Sequence, residues 1–258
     1  MQIEEWNLAQ TNLKRLKEMH PQVAVLPIGA TEPHNLHLPY GQDFLHTTQV
    51  ARRCVQEAWQ RTQKVILLPA LPYGVDCNLM DYPFAMHIRQ STLDALVTDL
   101  VRSLKHYGVR KIVLLNGHGG NEFKALIRQL QCEENVHLFL INWWQVGEDR
   151  YEEIFENFDD HAGELETSVA LHLYPGLVEK ENAGNGQSKK FRFEALNKGW
   201  AKTSRNFGLL NDHCAVGNAE KASAEKGRRY LDLVCQRITK FLTELALEPL
   251  DETFPMQP

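Results

Sequence analysis

The chain has 258 residues, of which 43% are hydrophobic and 24% are charged, and its formal net charge is −5. This length lies within the range of single α/β domains, and the composition is that of an ordinary globular protein. The slight acidic excess provides no basic surface for nucleic acid, and no apolar run approaches the ~20 residues of a membrane span. We therefore expect residues 1–258 to form one domain that binds neither nucleic acid nor membrane.

Cysteine usage and the first residues indicate the compartment. The five cysteines are dispersed and include no Cys-x-x-Cys pair, which argues against a disulfide framework and against a thiolate zinc site. The polar, acidic N-terminus has no signal-peptide pattern. The sequence predicts a cytoplasmic protein with reduced thiols, in which any metal is held by histidine and carboxylate side chains.

Hydrophobic periodicity predicts strands that alternate with helices. The expected elements are a short helix within 2–20, a strand at 23–28, a helix at 43–62, a strand at 65–68, a long loop at 69–90, a helix from an N-cap at Ser91 to a C-terminal Gly108, a strand at 111–115, a helix at 122–134, a strand at 136–142, a helix at 169–174, an exposed loop at 180–212, a long helix from 219 to about 244, and a loosely held tail at 248–258. This alternation implies right-handed crossovers and a mainly parallel sheet, hence an α/β fold.

The segment after the first predicted strand is rich in metal-binding residue types. It contains Glu32, His34 and Asp43, with His37 and His46 close by. Loops that leave the carboxyl ends of strands commonly form ligand sites in α/β proteins. Mixed imidazole and carboxylate ligands suit zinc, manganese or iron better than calcium. A hydrated surface loop remains the alternative for this stretch taken alone.

Two further segments carry histidine after predicted strands. His118 lies in Asn-Gly-His-Gly-Gly-Asn, residues 116–121, which is either a ligand-binding turn or a tight turn stabilised by its own backbone. This loop lacks the Lys-Ser/Thr pair of a P-loop. The third segment holds His161, Glu164 and Glu166; if a helix begins at 161, the first two share a face and Glu166 points elsewhere. An acidic helix N-terminus is the alternative there.

Three ordered segments resemble the signature segments of the creatininase (creatinine amidohydrolase) family. They are Gly-Ala-Thr-Glu-Pro-His from residue 29 with His-Leu-Pro and an aspartate after it, Asn-Gly-His-Gly-Gly-Asn, and His-Ala-Gly-Glu-Leu-Glu-Thr-Ser from residue 161. The resemblance spans residues 23–175. It implies a three-layer α/β/α sandwich, a metal-dependent hydrolase of amide C–N bonds, and a homo-oligomer, for example a hexamer.

By this resemblance, Glu32, His34 and Asp43 match the metal ligands of the first segment, and His118 matches the ligand of the second. Asp43 would bridge two divalent ions, which can be zinc, manganese or iron. In the same way, His161 matches the proton-transferring histidine of the family. An imidazole can protonate a leaving nitrogen near neutral pH.

The chain also departs from the family pattern. A creatininase has a glutamate ligand two residues after the second-segment histidine, where this chain has Gly120. We expect Glu166 to complete the ligand set, with Glu122 as the second choice. The family's Phe-Pro-Gly-Thr is replaced by Tyr-Pro-Phe-Ala-Met at 82–86, and Glu-Gln-His-Gly by Glu-Pro-His-Asn. These changes argue against creatinine itself as the substrate.

The sequence therefore predicts a dinuclear hydrolase that opens a cyclic amide or cleaves a formamide-like bond of a small molecule. Metal-bound hydroxide would be the nucleophile, and His161 would protonate the leaving nitrogen, oriented by Asp160. Asp160, Trp143 and Trp144 are candidate substrate-binding residues, although such tryptophans more often belong to a core or a subunit interface. The alternatives are a non-catalytic metal-binding protein of the same fold and a phosphate-binding enzyme that uses residues 116–121.

Overall fold

The computed structural model describes residues 3–257. Its strands are β1 (Val23–Ile28), β2 (Val65–Leu67), β3 (Lys111–Asn116), β4 (His137–Asn142), β5 (Asp159–His161) and β6 (Val216–Gly217). Its α-helices are α1 (Leu13–Leu16), α2 (Gln42–Thr62), α3 (Gln90–His106), α4 (Lys124–Glu134), α5 (Glu164–Leu173), α6 (Glu194–Asn197), α7 (Phe207–Leu210) and α8 (Ala224–Leu247). Short 3-10 helices occupy Cys77–Leu79, Trp143–Gln145, Glu148–Glu153, Pro175–Leu177 and Lys180–Asn182.

The core of the fold is a four-stranded parallel sheet with the strand order β2-β1-β3-β4. The two central strands, β1 and β3, are buried along their whole length, as expected where helices cover both faces of a parallel sheet. Alternate side chains of each strand point to opposite layers. Val25 and Val113 pack towards α2, α5 and α8, whereas Leu26 and Leu114 pack towards α3 and α4. The predicted three-layer α/β/α arrangement is confirmed.

Most of the predicted helices and strands lie within a few residues of their predicted bounds, and Gly108 ends α3 in the left-handed conformation (φ +84°). The helix predicted within 2–20 is reduced to the single turn α1. The residues before α1 instead pair with the edge of the sheet: Leu67 donates to the carbonyl of Trp6, and Leu8 donates to that of Leu67. Free backbone groups on β2 therefore outweigh the weak helical pattern there.

Three other details differ from expectation. Helix α3 begins at Gln90, so Ser91 lies inside its first turn and is not the N-cap. The loop at 180–212 contains two one-turn helices, α6 and α7. The tail is not loose throughout, because Phe254 packs edge-on against His137 and Phe139. Within residues 3–257, no helix combines the length and apolar character needed to cross a bilayer.

Candidate metal centre

The candidate metal-binding residues converge at the carboxyl edge of the sheet. Glu32 and His34 follow β1, Asp43 lies in the first turn of α2, and His118 follows β3. Because β1 and β3 are neighbours, their loops leave the sheet side by side. Gly117 makes the approach close enough, since a Cβ there would lie 1.7 Å from Thr47 Oγ1 and 2.8 Å from the Asp43 carbonyl oxygen.

Asp43 presents one carboxylate oxygen to His34 and the other to His118. Its Oδ1 lies 3.0 Å from His34 Nε2, and its Oδ2 lies 3.0 Å from His118 Nδ1. Glu32 Oε1 lies 3.2 Å from the same nitrogen of His118 and 3.7 Å from His34 Nε2. This geometry is that of a carboxylate between two adjacent sites, one on the His34 side and one on the His118 side.

Glu166 joins the His34 side from a separate element. Its Oε2 lies 3.9 Å from His34 Nε2 and accepts a hydrogen bond of 2.6 Å from the backbone of Ala162. The start of α5 is fixed by Asp159, whose carboxylate accepts backbone hydrogen bonds from Gly163, Leu165 and Glu166. The helix, expected at 169–174, thus begins at 164. Glu166 turns towards His34, on the side where the predicted ligand set needs it.

His161 lies on β5 beside this cluster. Its ring centroid is 4.3 Å from that of His34, and its Nδ1 is 3.7 Å from Glu32 Oε1. Its Nε2 faces the carbonyl oxygen of Pro33 at 2.9 Å, which fixes the hydrogen on Nε2 and leaves Nδ1 as an acceptor. The expected contact with Asp160 is absent; that carboxylate pairs with Arg205 instead.

Several of these buried polar atoms make no hydrogen bond of suitable geometry within the described part of the chain, although the cluster's nitrogens and oxygens lie close together. They are Glu32 Oε2, His34 Nε2 and Asp43 Oδ2. Buried polar groups are normally satisfied, and each exception needs a partner such as an ion. His, Asp and Glu ligand atoms form three overlapping groups: Glu32/His34/His161, Glu32/Asp76/His118 and His34/Asp43/Glu166. This donor set fits a first-row divalent cation.

The electrostatics of the protein without a bound cation reflect its crowded acids. Burial raises the pKa of Glu32 and of Glu166 to about 8 in each case. Burial alone would lower the pKa of His34, but Asp43 and the other nearby carboxylates outweigh it and raise that pKa to about 10. Burial and the nearby His34 lower the pKa of His161 to about 3, so this ring is neutral at physiological pH. The excess of acid over base favours cation binding.

Two asparagines and an aspartate were missed by the sequence reasoning. Asn116 bonds to both the N–H and the carbonyl of His118, and Asn121 bonds to Asn116, Val75 and Gly29. Asp76, in the long loop after β2, places Oδ1 2.9 Å from His118 Nε2. The asparagines belonged to a visible motif, whereas nothing in the periodicity of residues 69–90 indicated Asp76.

Other candidates lie away from the cluster. Glu164 is fully buried and bonds to Lys226 and to backbone N–H groups of residues 156 and 157. Glu122, the second choice for the ligand set, is exposed and lies outside the three groups of ligand atoms. Trp143, a predicted substrate-binding residue, is 1% exposed and packs in the core against His46. His37 bonds to Thr167.

A cavity of about 210 Å³ opens onto the cluster. Its lining also comes from the loops at 69–90 and 180–212, from the residues after β4 and from β5; it includes Asn78, Trp144, Asp160, Arg205 and Phe207. Trp144 and Asp160, two of the predicted substrate-binding residues, therefore line this cavity. Besides the acidic cluster, the lining combines apolar side chains with the ion pair of Asp160 and Arg205.

The comparisons with known proteins agree with this geometry. A family model described as "Creatininase: Creatinine amidohydrolase" matches residues 7–242. The chain belongs to the creatininase family. Creatininase relatives include a creatinine amidohydrolase from Pseudomonas putida, 27% identical over 86% of this chain and 89% of its own. They also include a mycofactocin precursor peptide peptidase from Mycobacterium tuberculosis, 29% identical over 86% and 84%. Membership identifies the chain as an amidohydrolase.

Solved structures of this family share the fold. A Bacteroides fragilis protein with a provisional creatinine amidohydrolase name has a TM-score of 0.90 and 38% identity, covering 98% of this chain and 100% of its own. A manganese form of creatininase has a TM-score of 0.77 and 24% identity, covering 94% and 99%. A mutant creatininase of zinc–zinc type has a TM-score of 0.76 and 24% identity, covering 94% and 98%.

Proposed function

We propose that the protein is a dinuclear metal-dependent amidohydrolase that cleaves a non-peptide C–N bond in a cyclic amide or a formamide-like small molecule. The observation that supports this most is the convergence of buried, unsatisfied histidine and carboxylate atoms on a shared Asp43. His34, Asp43 and Glu166 would hold one ion, and Glu32, Asp43 and His118 the other. Divalent ions in such a site polarise a carbonyl oxygen and lower the pKa of water.

In this proposal His161 moves the proton. Its Nε2 is committed to the Pro33 carbonyl, so the free Nδ1 is the atom that exchanges protons. The ring is neutral at physiological pH because burial lowers its pKa. This nitrogen would accept a proton from the attacking water and return it to the departing nitrogen.

The cavity residues supply orientation. Trp144 and Phe207 provide apolar walls that exclude water, and Arg205 and Asp160 provide polar contacts at the rim. A volume of about 210 Å³ suits a small amide better than an extended chain. One relative is named for creatinine and another for a precursor peptide, so a substrate screen should include both small amides and peptides. The single-domain organisation, homo-oligomeric state and cytoplasmic location stay predictions of the sequence.

The test is a substrate screen of metal-loaded protein on cyclic amides, formamides and short peptides. His118→Ala should abolish turnover and lower metal content, whereas His20→Ala, at an exposed histidine far from the cluster in sequence, should change neither. His161→Ala should keep its metal and lose turnover. Full activity in His118→Ala would refute the site. Metal uptake with no hydrolysis of any substrate would favour the non-catalytic alternative.

A further inference from the structure

Asp76 is a buried carboxylate with an unexplained position. It is fully buried, and neither of its oxygens has a hydrogen-bond partner within residues 3–257. No lysine or arginine of that described range pairs with it, and its closest cationic group is His118 Nε2 at 2.9 Å. The backbone is fixed, because the Asp76 N–H donates to His87 Nδ1. Burying an uncompensated carboxylate is costly, so a nearby positive charge is expected.

The two nitrogens of His118 serve different purposes. Nδ1 faces Glu32 Oε1 and Asp43 Oδ2 at 3.2 Å and 3.0 Å, on the cation side. Nε2 faces the opposite way, where the Val75 carbonyl accepts its hydrogen bond at 3.2 Å and Asp76 adds a negative charge. Asp76 belongs to a group of possible ligand atoms with Glu32 and His118. One imidazole cannot offer both nitrogens to the same ion, however, so an ion that takes Nδ1 between Glu32 and Asp43 leaves Asp76 behind the ring.

Gly120 explains why the carboxylate beside His118 Nε2 comes from the loop after β2 and not from residue 120. A Cβ at 120 would lie 2.3 Å from both His118 Nε2 and the Val75 carbonyl oxygen. No side chain at 120 therefore fits while the ring keeps this orientation. The space next to Nε2 is reached from the loop after β2, and Asp76 is the acidic residue that reaches it.

We propose that Asp76 is a positioning residue for His118, holding the hydrogen on Nε2 and strengthening Nδ1 as a metal ligand. Carboxylates behind metal-binding histidines have this effect, and their loss typically lowers metal affinity about 10–100-fold. The inference rests on the proposed metal centre and adds to it a group that touches neither the ion nor the substrate. We expect it to act on the His118 side, because His118 is the histidine that Asp76 faces.

The experiment is a zinc titration of the metal-free, full-length protein against a chromophoric chelator. It compares the wild type with Asp76→Asn, Asp76→Ala and Asp81→Asn, the last being an exposed aspartate of the same loop. Asp76→Asn removes the charge and keeps the size, and we expect it to lower the zinc affinity of one of two sites about 10-fold. Asp76→Ala should lower the affinity of the same site up to about 100-fold. The other site and Asp81→Asn should match the wild type. Cobalt spectra should change only for the weakened site.

The possible outcomes separate this inference from the proposed function. Two sites with unchanged affinities in Asp76→Asn and Asp76→Ala would overturn the positioning role and leave the metal centre standing. If an Asp76 variant lacks one ion even at saturating zinc, Asp76 is a direct ligand, and this result also overturns the positioning role. A wild type that binds no metal would refute the proposed function itself. Thermal unfolding in chelator checks the fold, and Asp76→Asn carries the test if Asp76→Ala does not fold.

Discussion

Gly117→Ala tests whether the close approach of β3 to α2 builds the metal centre. The added Cβ would lie 1.7 Å from Thr47 Oγ1 and 2.8 Å from the Asp43 carbonyl oxygen. Neither side can retreat easily, because the Gly117 N–H donates to Ile28 and Thr47 Oγ1 donates to the same Asp43 carbonyl. Overpacking of this kind costs about 1–3 kcal/mol of unfolding free energy, and we expect the upper end. His118 should shift with it, weakening metal binding.

A double-mutant cycle identifies the cause. Thr47→Ala removes the clashing oxygen, so the double variant should be at least about 1 kcal/mol more stable than the sum of the single changes predicts. Thr47→Val keeps an atom at the same place and should give no relief. Urea unfolding in chelator measures each free energy. Additive effects, or a Gly117→Ala variant within about 0.5 kcal/mol of wild type, would refute this account of the packing.

Two further predictions concern pH and the tryptophans. In metal-free protein the pKa of Glu32 is about 8 in the native state and 4.5 in the unfolded state. The native state therefore binds more protons between these values, and the free energy of unfolding falls as pH rises. From pH 7 to 8 it should fall by about 1 kcal/mol or more. The buried histidines with lowered pKa values are neutral in both states there, and saturating zinc should reverse the trend in urea midpoints. Trp143→Ala should lower the free energy of unfolding in urea by about 3–5 kcal/mol, whereas Trp144→Ala should mainly raise KM in steady-state assays. A large loss of stability in Trp144→Ala together with a raised KM in Trp143→Ala would contradict the placement of the two side chains.

Much of the fold could be predicted because its strands are short apolar runs between clear helical patterns. The sequence also indicated the loops that contain Glu32, His34, Asp43 and His118, since each follows a central strand. Local pattern failed where a partner distant in sequence decides the structure. The segment around Trp6 has a weak helical pattern but pairs with the free edge of β2.

The third segment shows the same limit at the site. Helical spacing from 161 would place Glu166 away from His161, but Asp159 accepts the backbone N–H groups of residues 163, 165 and 166 and so delays the helix start to 164. Glu166 then faces His34, and Glu164 faces Lys226. The resemblance to the family indicated Glu166 as a ligand, but helical spacing could not show that it faces His34 while Glu164 is buried against Lys226.

The most direct test of the central claim is the metal content per chain, by elemental analysis of protein purified without chelator or affinity-tag metal. A centre bridged by Asp43 predicts close to two ions in the wild type, about one in His118→Ala, and almost none in Asp43→Asn, because each oxygen of Asp43 serves one side. Glu122→Gln, at an exposed glutamate, should keep both. A wild type without metal after reconstitution, or an Asp43→Asn variant that retains both ions, would contradict the account.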